Sequence, residues 1–320
     1  MRAGYFPELG VAEFRSDMPE PQIRYDKDVK IRIRKCGICG SEVHALHGMH
    51  PFRIPPVLSG HEFAGDVVEV GKGVTKFKPG DRVTGEPQYG CGECYYCKHG
   101  MYNLCTSKRV LGASYKVPEL DNGEWTGSMG EYIVVPEKTV VKLADNVSYE
   151  EGALIEPVAN GIYAVRRANI TPESTVAIIG CGPIGILLMQ SCKALGAAKV
   201  LITDISDYRL ELAKSLGADY AINTAKVPYA DAIAEVFGPD KADVTYECAG
   251  NNATTDMAIQ NSRKGSVIVL VAVFADWAKV DLARLNDSEL TLDTSMMYRH
   301  QDYLDAIEWV SQGKINLKPL

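Results

Sequence analysis

The sequence predicts an α/β chain in two parts, a β-rich, barrel-like first half followed by a parallel sheet flanked by helices. Two observations carry that reading. As far as about residue 143, short strand-like runs are punctuated by Gly/Pro turns, whereas from Ser174 onward strand-like and helix-like stretches alternate. At 320 residues the chain is long enough for each part to have its own core.

Taken in order, Val29-Lys30-Ile31-Arg32-Ile33-Arg34 alternates apolar and charged residues, as a half-buried strand does. Asp66 to Gly71 is a second strand, and Lys78-Pro79-Gly80-Asp81 a turn before Arg82-Val83. Strand-like sequence resumes from Tyr132 to Leu143, and Asp145 to Ser148 leads into a helix through Glu150 and Glu151. Thr175 to Ile179 is a buried strand, followed by a Gly-rich turn and a helix to about Leu195; Lys199 to Thr203 is the next strand, ending at Asp204. Asp243 to Cys248 and Ser266 to Val273 are strand-like, and an amphipathic helix runs from about Asp302 to Ser311.

The 19 residues from Ser174 to Cys192 carry no charge, a length that suggests a membrane span. Gly180, Gly182, Pro183 and Gly185 in their middle make strand–turn–helix the better expectation. No secretory signal is expected, since no apolar segment follows Met1. Hydrophobic residues at 46% and charged ones at 23% suit a soluble globular enzyme. The formal charge of −7 argues against nucleic acid or an anionic membrane as partner. Nine cysteines without a signal peptide suggest a reducing, cytoplasmic setting, where thiols serve metals or cores.

Three motifs carry chemistry. Cys36-Gly-Ile-Cys39-Gly-Ser41-Glu42-Val-His44 and then Gly60-His61-Glu62 bring thiol, imidazole and carboxylate, the side chains that hold zinc, into one short span. Ser41 and His44 beside them offer a hydroxyl and a second imidazole for moving a proton. Cys91, Cys94, Cys97 and Cys105 place four thiols within 15 residues, which fits a closed tetrahedral zinc organising a lobe with little core of its own. Gly180-Cys-Gly182-Pro183-Ile184-Gly185, between a strand and a helix, is a dinucleotide fingerprint whose glycines let the backbone approach a pyrophosphate. Asp204, 24 residues after Gly180, is placed to accept hydrogen bonds from both adenosine-ribose hydroxyls, favouring NAD over NADP. Arg209 keeps NADP open.

This order of motifs, with Leu154-Ile155-Glu156-Pro157 between the halves, resembles the zinc-dependent medium-chain alcohol/polyol dehydrogenases over nearly the whole chain. The Glu156-Pro157 form is most similar to the sorbitol (iditol) and 2,3-butanediol dehydrogenase branch. The resemblance implies a GroES-like catalytic domain (residues 1–155 and 288–320) and a Rossmann domain (156–287). It implies Cys39 rather than Cys36 as a ligand of a catalytic zinc, His61 as the second, and Glu62 or Glu156 as the third. Ser41, His44, Glu62 and Glu156 would then handle protons while NAD takes hydride from a secondary alcohol. His47, His50 and His99 are expected at the surface or pocket rim. The resemblance further implies a homodimer or homotetramer acting on a small-molecule alcohol, a polyol or vicinal diol, with L-threonine or a sugar-alcohol phosphate as alternatives. Arg53 or Arg299 would meet such a phosphate.

One departure stands out. Chains of this family continue past the equivalent of Lys318-Pro319-Leu320 with a helix and strand that return to the first domain, so a shortened end is expected here. Two rival readings remain, a non-catalytic zinc- and nucleotide-binding sensor, and a zinc-free quinone or enone reductase of the same fold.

Overall fold

The computed structural model describes residues 1–50, 53–113, 127–274 and 277–320. The chain divides into two compact units, Met1–Glu156 and Pro157–Leu320.

In the first unit, β1 (Ala3–Tyr5) and β2 (Glu13–Arg15) form an antiparallel pair. Then come β3 (Asp28–Cys36), α1 (Gly40–Leu46), β4 (Phe63–Val70), β5 (Arg82–Gly85), β6 (Gln88–Tyr89), α2 (Tyr95–Lys98), β7 (Arg109–Val110), β8 (Tyr132–Pro136), β9 (Val140–Lys142) and α3 (Tyr149–Ala153). An antiparallel five-stranded sheet runs β8-β3-β4-β5-β9, and β6 pairs with β7 to carry the cysteine lobe. Val29, Ile31, Phe63, Val67, Val83, Leu111, Ile133 and Val135 fill its core. Each such side chain contributes roughly 1.5–3 kcal/mol by leaving water.

The alternation of β3 holds at Ile31 but not at Lys30, which is 5% exposed. Its ammonium reaches Glu20 at 2.6 Å and lies over the Tyr132 ring, so a lysine on a buried face keeps partners. The sheet positions the metal residues at its end: β3 stops at Cys36, Cys39 caps α1, and His61-Glu62 lead straight into β4.

The second unit begins within α4 (Ile155–Arg167) and continues β10 (Thr175–Ile179), α5 (Pro183–Ala194), β11 (Lys199–Asp204), α6 (Asp207–Ser215), β12 (Tyr220–Asn223), α7 (Tyr229–Phe237), β13 (Val244–Glu247), α8 (Asn252–Asn261), β14 (Val267–Leu270), α9 (Leu282–Asp287), β15 (Thr291–Thr294) and α10 (His300–Ser311). Its six strands are parallel in the order β12-β11-β10-β13-β14-β15. Strand order reverses between β10 and β13, and in sheets of this kind the crevice beyond the carboxyl ends at that point takes the ligand.

One core cluster joins Val176, Ile178, Val200 and Ile202 to α5 and α6 residues; a second joins Ala177, Ile179, Leu201 and Ile268 to α7 and α8. Alternate strand residues therefore feed opposite layers.

Residues 288–320 differ from the expected return to the first domain. β15 hydrogen-bonds to β14 along Val267–Leu270, and the segment groups with the second unit. Thr291-Leu-Asp-Thr294 supplies the edge of the parallel sheet rather than a strand of the barrel. The charge-free run from Ser174 to Cys192 is β10, the Gly-rich turn and most of α5, and no helix among the described residues is long and apolar enough to cross a membrane.

Candidate metal centres and nucleotide-binding loop

The first centre is built on the N-terminus of α1. Cys39 is its capping residue, and Glu42, one turn on, folds back so that Oε2 accepts the Cys39 backbone N–H at 3.0 Å. The other oxygen, Oε1, accepts from Ser59 Oγ at 3.0 Å and from the Gly60 N–H at 3.3 Å, and lies 2.8 Å from His61 Nδ1. Glu42 is buried, and these donors hold it at about 2 despite the burial that opposes its charge. Burial also disfavours a charged His61, yet hydrogen bonds to Cys39 and Glu42 outweigh it and lift the imidazole to about 10.

The contact at Nδ1 fixes the ring and leaves Nε2 as the nitrogen that would bind a metal, the arrangement carboxylates impose on zinc-binding histidines.

Donor atoms of Cys39, Glu42 and His61 lie within 4.8 Å of one another, and so do those of His61, Glu62 and Glu156. Glu62 and Glu156 are both buried. Burial first, and then the neighbouring Glu156 charge, push Glu62 up to about 7. Two buried carboxylates against one imidazole and a thiol call for a cation, and thiolate, imidazole and carboxylate suit zinc. Gly37 makes room for this group, because a Cβ there would overlap Glu62 Oε2.

Cys36 stands apart from both groups. Its Sγ lies 3.1 Å from Ser128 Oγ, and burial pushes the thiol up to about 12.

The second centre joins Cys91, Cys94, Cys97 and Cys105, whose sulfurs lie within 4.8 Å of one another. Sγ separations of 4.0 Å (Cys91–Cys97) and 3.7 Å (Cys94–Cys105) match the edge of roughly 3.8 Å that a zinc tetrahedron with Zn–S near 2.3 Å would have. Backbone N–H groups of Glu93, Cys94 and Ser107 point at these sulfurs. Such donors, from Cys97 above all, bring Cys94 down to about 6, whereas Cys97 is pushed up to about 12 by burial and its sulfur neighbours. All nine cysteines are free thiols.

In the second unit, β10 runs into Gly180, whose φ of +102° is a left-handed conformation. Gly185 touches the same turn, since a Cβ there would overlap the Gly180 carbonyl. Gly182 caps α5 with Pro183 as its first residue and Ile184 next; a Cβ on Gly182 would meet nothing within 4 Å, so a ligand can come close to its backbone. Asp204 closes β11. Its Oδ2 accepts the Cys181 N–H at 2.8 Å, and Oδ1 accepts those of Ile205 and Ser206 at 2.8 and 2.9 Å. Arg209 Nη1 lies 3.7 Å from Asp204 Oδ2. With roughly four acceptor sites on a carboxylate, three are occupied by backbone, so Asp204 shapes the loop as well as facing its crevice.

Residues 25–145 match the alcohol dehydrogenase GroES-like domain family, and residues 183–312 match the zinc-binding dehydrogenase family. The chain is 37% identical to L-idonate 5-dehydrogenase of Vitis vinifera over 300 residues, covering 92% of this chain and 79% of that protein. It is 35% identical to sorbitol dehydrogenase of Bacillus subtilis (strain 168) over 308 residues, 95% of this chain and 84% of the relative. The crystal structure of galactitol-1-phosphate dehydrogenase from Escherichia coli superposes with a TM-score of 0.90 at 29% identity, covering 100% of this chain and 91% of that one. This chain belongs to the zinc-dependent medium-chain alcohol dehydrogenase family.

Within this zinc-dependent dehydrogenase, the residues singled out in sequence fall into several groups. Cys39 meets His61 and Glu42 in one group, Glu62 and Glu156 meet His61 in another, and Cys91, Cys94, Cys97 and Cys105 form a third. Asp204, at the end of β11, holds the Gly180–Gly185 turn through Cys181, and Arg209 of α6 lies against Asp204. Ser41 and His44 both lie on α1, but no hydrogen bond joins their side chains; Ser41 Oγ accepts instead from Arg53 Nη1 at 3.2 Å. Arg53 itself, suggested as a phosphate contact, is buried against His50 and Glu42. Arg299 stays exposed, over the Tyr163 ring.

His47 and His99 are exposed, the latter stacked on Tyr95, whereas His50 is half-buried in the Arg53 contact. Glu42 is thus a neighbour to which motif reading gave no role, while Arg53 and His50, expected at a phosphate and at the pocket rim, lie against it instead. For Glu42 a signal existed, because an acid three residues after an N-capping residue reads as a capping box.

Proposed function

We propose that this dehydrogenase interconverts a secondary alcohol, a polyol or vicinal diol, and its ketone, with Cys39, His61 and Glu62 or Glu156 holding a catalytic zinc. The observation that supports it most is the convergence of a thiol, an imidazole held by Glu42 and two buried carboxylates within one end of the barrel. When bound, zinc acidifies the substrate hydroxyl and NAD accepts the hydride from its carbon.

The chain's own residues do the rest. Glu42 orients the His61 ring through Nδ1, and Ser41 Oγ, in contact with Arg53, is the hydroxyl available to pass on a proton. Cys91, Cys94, Cys97 and Cys105 hold a structural zinc. The turn from Gly180 to Gly185 and the amino end of α5 receive the pyrophosphate. Asp204 has acceptor capacity left for a ribose hydroxyl, and its negative charge disfavours a 2′-phosphate.

A homodimer or homotetramer belongs to the same reading, and light scattering of the purified chain tests it. Reduction of NAD⁺ across sorbitol, 2,3-butanediol, threonine and galactitol 1-phosphate tests the substrate class. Turnover confined to the polyols or the diol supports this reading, and absence of NADH with every alcohol in zinc-replete protein refutes it.

A further inference from the structure

We propose that Arg53 is a positioning residue of the metal centre: its guanidinium fixes the Ser41 hydroxyl and offsets the charge of the Glu42 carboxylate that orients His61. The inference rests on the reading of Cys39 and His61 as zinc ligands. Arg53 is 4% exposed, an unusual place for a residue that normally keeps its head in water. Its Nη1 donates to Ser41 Oγ at 3.2 Å and lies 3.0 Å from His50 Nε2, while Nε lies 3.7 Å from Glu42 Oε1.

A guanidinium only donates, so one lone pair of Ser41 Oγ is committed to it and the hydroxyl proton must point elsewhere. The hydroxyl that sequence reading coupled to His44 is thereby oriented from the opposite partner.

His50 cannot replace Arg53 in that task. Burial, and then the Arg53 charge, take its imidazole down to about 4, so it is neutral and has one accepting nitrogen. Arg53 approaches both ring nitrogens, its N–H at 3.2 Å from Nδ1 and Nη1 at 3.0 Å from Nε2, and only one of these can accept at a time. The ring therefore limits where the guanidinium sits without carrying a proton for it.

The ionisable groups that act on this pocket are Glu42 and His44 from α1, His50 from the loop, and His61. With zinc held at His61, Arg53 would be the side-chain cation beside Glu42 among the described residues. Its charge is permanent, and in a dry site it favours whichever neighbouring group gives up a proton.

The test compares Arg53→Met and Arg53→Lys with the unmodified zinc-loaded chain. Arg53→Met is expected to retain the four-cysteine zinc and its NAD affinity but to release the other zinc to about tenfold less chelator. Its kcat falls about tenfold with KM within about twofold, and the acid limb of kcat against pH moves up by about one unit, because a fixed positive charge beside the site is gone. Arg53→Lys restores the pH limb but only part of kcat, since an ammonium lacks the planar fork.

Unchanged zinc retention, kcat and pH profile in Arg53→Met would overturn the inference. So would loss of NAD binding and of the four-cysteine zinc in both variants, which would assign Arg53 to folding alone. An unmodified chain that binds zinc only at the four cysteines would refute the metal-centre reading first, and the Arg53 inference with it.

Discussion

At the scale of single residues, Glu42 shows how one carboxylate can organise a centre it need not ligate. It accepts from Cys39, Ser59 and Gly60 and holds His61, so four positions depend on its charge. Glu42→Gln keeps the shape but turns one oxygen into a donor. Chelator competition should then show zinc held about 10–100-fold less tightly at this centre. A change under twofold would remove Glu42 from the account. Asp204→Asn is the parallel case in the second unit. An amide has one accepting atom where the carboxylate has two, so NAD affinity should fall about tenfold and the preference over NADP should narrow, as read by titrating both nucleotides. The proposed ligand residues were legible because Cys39-Gly-Ser41 and Gly60-His61-Glu62 are contiguous motifs. The placement of Arg53 and His50 was not, because the contacts of Arg53 to Ser41, Glu42 and His50 follow from the fold and no periodicity describes them.

At the scale of elements, two ties hold the first unit together. Glu137 follows β8, and its Oε1 accepts the N–H groups of Thr75 and Lys76 at 2.7 Å each, with Lys27 3.0 Å from Oε2. Burial opposes that charge, but the backbone donors and Lys27 prevail and hold Glu137 at about 2. A folded-state value below the ordinary one means the contribution is complete above about pH 4.5 and is lost as pH falls toward 2. Glu137→Gln should therefore cost roughly 2 kcal/mol at pH 7, and its stability should fall less steeply than that of the parent between pH 4.5 and 2 in urea titrations. Equal slopes would assign the acid sensitivity to other carboxylates. The cysteine lobe is the second tie: α2 has no buried residue of its own, and a zinc held by the four cysteines would supply what packing there does not. Cys105→Ser should lose that zinc, measured as metal per chain, and the lobe should become protease-sensitive while NAD binding persists.

Over the whole molecule, the two-part architecture was legible because the change from short strands to strand–helix alternation at Ser174 reflects two ways of covering a sheet. The boundaries were less so. Where residues 288–320 belong depends on which sheet edge accepts β15, and pairing with β14 is a long-range event that a four-residue strand does not announce. The candidate site shows the same division: its motifs carry their own signal, but Glu156, far along the chain, is joined to His61 and Glu62 only by the fold. The centre at Cys39 and His61 is proposed to hold the zinc on which alcohol oxidation depends. Metal content and NADH production should therefore be measured together in the parent chain, Cys39→Ala and His61→Ala. Each variant should keep the four-cysteine zinc and NAD binding while losing the other zinc and at least about a thousandfold in kcat/KM. Oxidation of the alcohol at the parent rate by a variant lacking that zinc would contradict the proposal.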